Sequence, residues 1–327
     1  MRLGLLRLGL LSTARINDFI LSAAAASDRV DVVAVASRDD ARAQAYAREH
    51  AIPKAHGSYE AMLADDGIDA VYVSLPNRLH HEWTLAALDA GKHVLCEKPY
   101  SRRPHEVEEA FARAESAGLV LMEAFMYRHH PQTAKVKALV EEGAVGRLRL
   151  VLAAFRFVLP DSGDIRASTE LDGGALMDVG CYCVSGARNL AGEPEHVTGE
   201  QVLGPTGIDM SFHGTLRFPG DVIAQFDCSF ALPRFQRLEV VGDEGSLLVE
   251  SPWRADWEGD LLLQRGDEGV SRVDVPRVDA YQLELENLAD AVEGTAAPLL
   301  ERADALGQAR TIAALYRSAT KNRVIQI

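Results

Sequence analysis

Lys98, Asp178 and Tyr182 are side chains of types that can do chemistry. Lys98 stands in Glu97-Lys98-Pro99, directly after the apolar run Val94-Leu95-Cys96. An ammonium at the end of a buried strand is costly unless it finds a partner, and the following proline fixes the local backbone. Such a lysine can steer a reacting oxygen and lower the pKa of a nearby phenol through its positive charge. Asp178 and Tyr182 lie four residues apart in a helical stretch. On an α-helix that spacing puts both on one face, where one substrate hydroxyl could meet both. A free phenol titrates at about 10 and is a poor base at neutral pH, so a catalytic Tyr182 would need a nearby cation. Taken singly, the three also read as a strand-end lysine, a helix-surface charge and a core aromatic.

A second set of residues points to a dinucleotide. The turn after the first apolar run reads Gly9-Leu-Leu-Ser12-Thr13-Ala14-Arg15-Ile16-Asn17. With Ser12 and Ala14 at the first two glycine positions, the G-x-G-x-x-G fingerprint is degraded. Small residues still allow close approach, Thr13 offers a hydroxyl, and the helix N-terminus offers free N–H groups. The second strand ends in Ser37-Arg38. An acidic residue there would hold a ribose 2′-hydroxyl, whereas arginine pairs with a 2′-phosphate, so NADP is expected over NAD; a solvated arginine at a strand end is the alternative. After the third clear strand, Ser74-Leu75-Pro76-Asn77-Arg78-Leu79-His80 lies at the sheet edge where ligands bind, putting Asn77 and His80 within reach of a ribose. A turn asparagine and a helix-surface histidine are the alternatives.

The stretch Ala90-Gly91-Lys92-His93-Val94-Leu95-Cys96-Glu97-Lys98-Pro99, preceded by Pro76-Asn77-x-x-His80, resembles the glucose–fructose oxidoreductase / inositol dehydrogenase / MocA family. The resemblance continues through Met122-Glu123-Ala124-Phe125-Met126-Tyr127-Arg128 and Gly173-Gly174-Ala175-Leu176-Met177-Asp178-Val179-Gly180-Cys181-Tyr182. It is strongest to the branch of dimeric trans-dihydrodiol dehydrogenases and NADP-dependent D-xylose 1-dehydrogenases. It implies Lys98, Tyr182 and Asp178 as the catalytic group. It also implies cofactor contacts from Ser12, Thr13, Ala14, Arg15, Ile16, Ser37, Arg38, Ser74, Leu75, Asn77, His80, Glu97 and Lys98. Tyr182 would take the substrate proton as hydride passes to NADP+, with Lys98 stabilising the developing oxyanion. No metal is called for. Arg128, His129 and His130 are candidates for the substrate pocket, with cap or surface roles as alternatives for the histidines. Asp161, Asp164 and Arg166 could belong to a covering loop; Trp253 and Trp257 receive no role. The substrate would be a sugar, polyol or dihydrodiol. An NAD-dependent glycosidase of the same fold and a non-catalytic sensor are the rival readings; Ser37-Arg38 disfavours the first, and the joint presence of Lys98 and Tyr182 the second.

These residues need elements to position them. The first third alternates apolar runs with amphipathic stretches: strands at 6–11, 30–37, 70–74, 93–97 and 120–123, with helices between. That is a Rossmann, doubly wound parallel sheet. Beyond about residue 145 come strand-like segments at 147–157, 207–218, 222–232, 237–241 and 246–250, with helices over 174–190, 281–292 and 302–318. The expectation is an α/β chain, with residues 1–125 as the NADP-binding domain and 126–327 as an α+β domain on a large, mostly antiparallel open sheet. The family branch implies a homodimer through that sheet, since an uncovered apolar face needs a partner. A net charge of −14 over 327 residues argues against nucleic acid and anionic membranes. No secretory leader or membrane-spanning run is evident. The four cysteines (Cys96, Cys181, Cys183, Cys228) lack disulfide or zinc spacing, so reduced thiols and a cytoplasmic location are expected.

Overall fold

The computed structural model describes residues 5–160, 163–254, 259–266 and 268–327. The chain divides into two compact units: Met1–Met126 with Asp279–Leu306, and Tyr127–Val278 with Gly307–Ile327.

The first unit begins β1 (Leu6–Leu10), α1 (Asn17–Ala26), β2 (Val30–Ala36), α2 (Asp40–Glu49), β3 (Lys54–His56) and α3 (Tyr59–Leu63). It continues β4 (Ala70–Val73), α4 (His80–Asp89), β5 (His93–Glu97), α5 (Pro104–Ala117) and β6 (Leu121–Ala124). The strands form a parallel sheet in the order β3-β2-β1-β4-β5-β6. All four residues of β4 are buried, as expected of a parallel strand covered on both faces. The order reverses between β1 and β4, the switch point at which open α/β sheets bind ligands. One strand escapes a reading based on apolar runs. β3 is the edge tripeptide Lys54-Ala55-His56, too short and polar to stand out.

The second unit holds α6 (Pro131–Glu141), β7 (Leu148–Arg156), α7 (Cys181–Ala191), β8 (His196–Leu203), β9 (Asp209–Phe218) and β10 (Val222–Ser229). Then follow β11 (Phe235–Gly242), β12 (Gly245–Val249), β13 (Leu261–Arg265) and β14 (Val270–Val273). The chain ends with α8 (Ala280–Glu293), α9 (Arg302–Lys321) and β15 (Ile325–Gln326). The nine-stranded sheet runs β14-β13-β12-β11-β7-β10-β9-β8-β15 and is antiparallel except where β10 pairs with β7. β8, mostly polar (His196-Val-Thr-Gly-Glu-Gln-Val-Leu203), and the strands β13, β14 and β15 were not expected. Residues 174–190, expected as one α-helix, are instead a π turn over Leu176–Gly180 leading into α7.

The division differs from a cut at 125/126, because residues 279–306 rejoin the first unit. α8 packs on α1, with Phe19 and Tyr281 stacked at 5.1 Å, and Arg29 pairs with Asp290 (2.8 Å) and Glu293 (3.0 Å). Periodicity shows that such a helix has a buried face; it does not say which core receives it.

Candidate functional site

At the carboxyl edge of the parallel sheet, the turn from β1 into α1 is tied to the end of β4 by buried hydroxyls and one amide. The Ser12 and Ser74 hydroxyls are 2.7 Å apart, Asn17 Nδ2 donates to the Ser12 carbonyl at 2.8 Å, and Ser74 Oγ donates to Asn17 Oδ1 at 2.8 Å. Asn17 is fully buried and stands where the third fingerprint glycine would be. Sequence reading passed it over; its signal is an amide at a position that ordinarily demands no side chain. Ser12 Oγ also accepts the Ala14 N–H at 3.1 Å, so its side chain braces the turn and only its backbone is left to face a ligand. Thr13, Ala14 and Ile16 are half-buried and Arg15 is exposed.

Ser37, buried, follows β2, and its hydroxyl accepts the Asp39 N–H at 3.3 Å. Arg38 is exposed, and its charge acts on the Tyr59 phenol of α3. Burial raises the Tyr59 pKa, and Arg38, with Arg42 nearby, pulls it down. Arg38 and Arg42 thus stand just beyond β2, interleaved with Asp39 and Asp40.

Lys98 directly follows β5, and the Lys98–Pro99 peptide is cis. Glu97 is the brace of this turn: one carboxylate oxygen accepts the Tyr72 hydroxyl and the other accepts the Lys98 N–H at 3.2 Å. Tyr72 is fully buried, and burial first, then Glu97, pushes its phenol well above the usual range. His80 lies inside the unit and not on a helix surface. It is fully buried, with Nε2 2.8 Å from the Leu75 carbonyl and Nδ1 3.1 Å from the Pro99 carbonyl. Burial lowers its pKa despite those carbonyls, and a neutral ring has one N–H to donate to one of the two, so His80 packs between the β4 loop and the Lys98-Pro99 turn with a single hydrogen bond. Leu75 is buried, and Asn77, half-buried, opens a 3-10 turn.

In the second unit, Asp178 sits in the π turn and Tyr182 in the first turn of α7. An i→i+5 turn changes the angular step, so their relation follows from this wider turn and not from α-helical spacing. Arg166 Nε pairs with Asp178 at 3.2 Å and its Nη1 with Asp164 at 3.2 Å, so the 164–166 turn orients the Asp178 carboxylate. Tyr182 is 6% exposed, its ring against Phe155 (5.5 Å), Tyr127 (5.7 Å) and Trp253 (6.2 Å between centroids). Trp253, fully buried, donates Nε1–H to the Ala154 carbonyl at 3.0 Å. A Cβ at Gly186 would lie 2.5 Å from the Trp253 ring. A glycine inside a helix was the available sign that a large ring packs there. His130 is a helix cap, its Nδ1 accepting the Gln132 N–H at 3.1 Å. Arg128 and His129 are half-buried in a 3-10 turn; burial, then Arg128, lowers His129 to about 3. Asp161 and Trp257 lie outside the described residues.

Known proteins resemble this chain along nearly its whole length. Residues 6–125 match the oxidoreductase family with an NAD-binding Rossmann fold, and residues 133–248 match the GFO/IDH/MocA C-terminal domain. A D-xylose 1-dehydrogenase (NADP(+)) from Haloferax volcanii is 39% identical over 98% of this chain and 99% of its own. A trans-1,2-dihydrobenzene-1,2-diol dehydrogenase from Xenopus tropicalis is 34% identical over 82% of this chain and 81% of its own. Among solved structures, a 3-ketoreductase from Actinomadura kijaniata in complex with NADP and TDP-benzene superposes with a TM-score of 0.90 at 30% identity, covering 96% of this chain and 98% of that one.

Proposed function

The chain belongs to the GFO/IDH/MocA oxidoreductase family, and on that premise we propose that it is an NADP-dependent dehydrogenase or reductase of a sugar, polyol or dihydrodiol. The observation that carries this reading is the carboxyl edge of the parallel sheet, with Ser37-Arg38 ending β2 and Lys98 ending β5. NADP fits the residues present. An exposed guanidinium with a neighbouring serine hydroxyl suits a 2′-phosphate, where a carboxylate would repel it. The backbone of the Ser12–Ile16 turn suits the pyrophosphate, and the Ser74–Asn77 loop the sugar–amide portion. When bound, the cofactor supplies or accepts a hydride. Tyr182 removes the proton of the reacting hydroxyl in oxidation and returns it in reduction. Lys98 contributes the positive charge that stabilises the oxyanion and favours the phenolate. Asp178, oriented by Arg166, holds a substrate hydroxyl, and Arg128 and His129 line the substrate's surroundings. The xylose and dihydrodiol relatives support this substrate class.

Two further assignments go with the reading. Half-buried Ile223, Leu150 and Val241 align across β10, β7 and β11, and Leu248 and Leu262 across β12 and β13, with Glu239 between Leu152 and Leu248; these apolar residues support a homodimer through this sheet. Light scattering should give twice the chain mass for the wild type and the single-chain mass for Leu152→Asp; a monomeric wild type removes the assignment. Four buried cysteines, none in a disulfide, support the cytoplasm.

The test of function is a panel of aldoses, ketosugars, polyols and dihydrodiols followed by NADPH absorbance, with NADH in parallel. Turnover with NADP preferred is expected, and Arg38→Ala should erode that preference by about tenfold or more. An unchanged preference removes Arg38 from the cofactor site. Cleavage of a chromogenic glycoside without net redox change would instead support the glycosidase reading.

A further inference from the structure

We propose that Asp209 is a positioning residue for Asp178 and Tyr182, setting the register of the helical run that carries both. The inference rests on the functional reading above and deepens it. Asp209 opens β9 and is 2% exposed. One carboxylate oxygen accepts the Leu176 N–H at 2.6 Å, and the other accepts the Tyr316 hydroxyl of α9 at 2.9 Å. Leu176 is the first residue of the π turn, so its N–H belongs to the donors that a helix start leaves unmet. A carboxylate at that point satisfies the donor and complements the positive end of the helix.

Gly174 gives an independent sign that the chain is shaped around this carboxylate. Its φ is +125°, and a Cβ there would stand 2.1 Å from Asp209 Oδ1. No other residue type admits both the conformation and the approach. The approach is held further by Gly173 N–H to the Ser168 carbonyl and Gly174 N–H to the Arg166 carbonyl, both 2.9 Å. One turn on, the Asp178 N–H donates to the Gly174 carbonyl at 3.0 Å. The far end of the π turn closes on β10, where a Cβ at Gly180 would come within 2.7 Å of Cys228 Sγ. The π turn is thus gripped at both ends, by Asp209 at its first N–H and by β10 at its last residue. Tyr182 is the second residue beyond it, so any slip at Asp209 moves the phenol.

The experiment compares Asp209→Asn, Tyr316→Phe and Tyr182→Phe in the full-length protein with NADP and a substrate found in the panel. Asp209→Asn keeps the size of the side chain and removes the charge and one of the two acceptors. Its kcat should fall ~10–100-fold, the scale of a small misplacement of reacting groups. NADPH affinity should stay within about twofold, and the limb of the kcat/KM pH profile due to Tyr182 should shift. Tyr316→Phe should do the same more weakly. A lowered melting temperature with kcat per NADPH-binding site and pH profile unchanged would mean a purely structural residue and overturn the proposal. Should Tyr182→Phe be inactive while Asp209→Asn and Tyr316→Phe match the wild type, this inference alone fails. A fully active Tyr182→Phe removes the functional reading and this inference with it.

Discussion

The two units hold their candidate site residues by different means. In the first, the Ser12 turn, the β4 loop and the Lys98-Pro99 turn are irregular backbone, fixed by short polar contacts: Ser12 to Ser74, Asn17 to both, and His80 to the Leu75 and Pro99 carbonyls. In the second, Tyr182 rides on a helix and its ring is set by packing against Tyr127, Phe155 and Trp253. Loops at a sheet edge expose backbone that must be satisfied, and hydroxyls, an amide and an imidazole can do so at exact distances. A phenol that must reach a reacting atom needs its ring fixed while its hydroxyl stays usable, and aromatic walls provide that.

Four measurements would break or sharpen this contrast. Lys98→Ala should lower turnover by ~10²–10³-fold or more while NADPH binding stays within about threefold, as expected for a group acting on developing charge. Turnover kept near the wild-type level would remove Lys98 from the chemistry. Trp253→Ala should cost about 3–5 kcal/mol in the denaturant transition of the second unit, the usual cost of emptying an aromatic core position. A cost below about 1 kcal/mol would show that packing does not fix Tyr182. Acid should weaken both units through buried histidines. His80 and His129 have folded pKa values below their ordinary range, so below about pH 6.5 the unfolded chain binds protons that the folded one refuses. Their contribution is complete above that pH and falls by up to ~1.4 kcal/mol per unit and per histidine as pH drops, for His129 down to about 3. His129→Gln should flatten the fall in stability below pH 6.5; an unchanged slope would show that His129 takes up its proton in the folded state. The smallest effect is expected for Ser12→Ala, about 1 kcal/mol, with an equal or larger relative loss in NADPH affinity. A loss of stability with no change in affinity would separate the hydroxyl clasp from cofactor binding.

Much of the first unit was legible because its strands are continuous apolar runs ended by turn residues. Ser37-Arg38, Glu97-Lys98-Pro99 and the Gly173–Tyr182 segment were visible as local strings whose chemistry is carried by residue type. What escaped has a common cause. Asp209 acts on Leu176 across 33 residues, and Arg166 on Asp178 across 12, so neither relation leaves a periodic mark. The strands β3, β8 and β15 are edge or near-edge strands, where polar residues are tolerated and apolar alternation is weak.

The sequence by itself determined the family, the parallel sheet and the types of residue at its edge, because these follow from local composition and order. Only the tertiary structure decided that His80 faces inward between the β4 loop and the Lys98-Pro99 turn, that the Asp178 helix begins as a π turn anchored by Asp209, and that residues 279–306 return to the first unit. Each of those depends on which surfaces meet after the chain has collapsed, and long-range packing is not written in the spacing of neighbours along it.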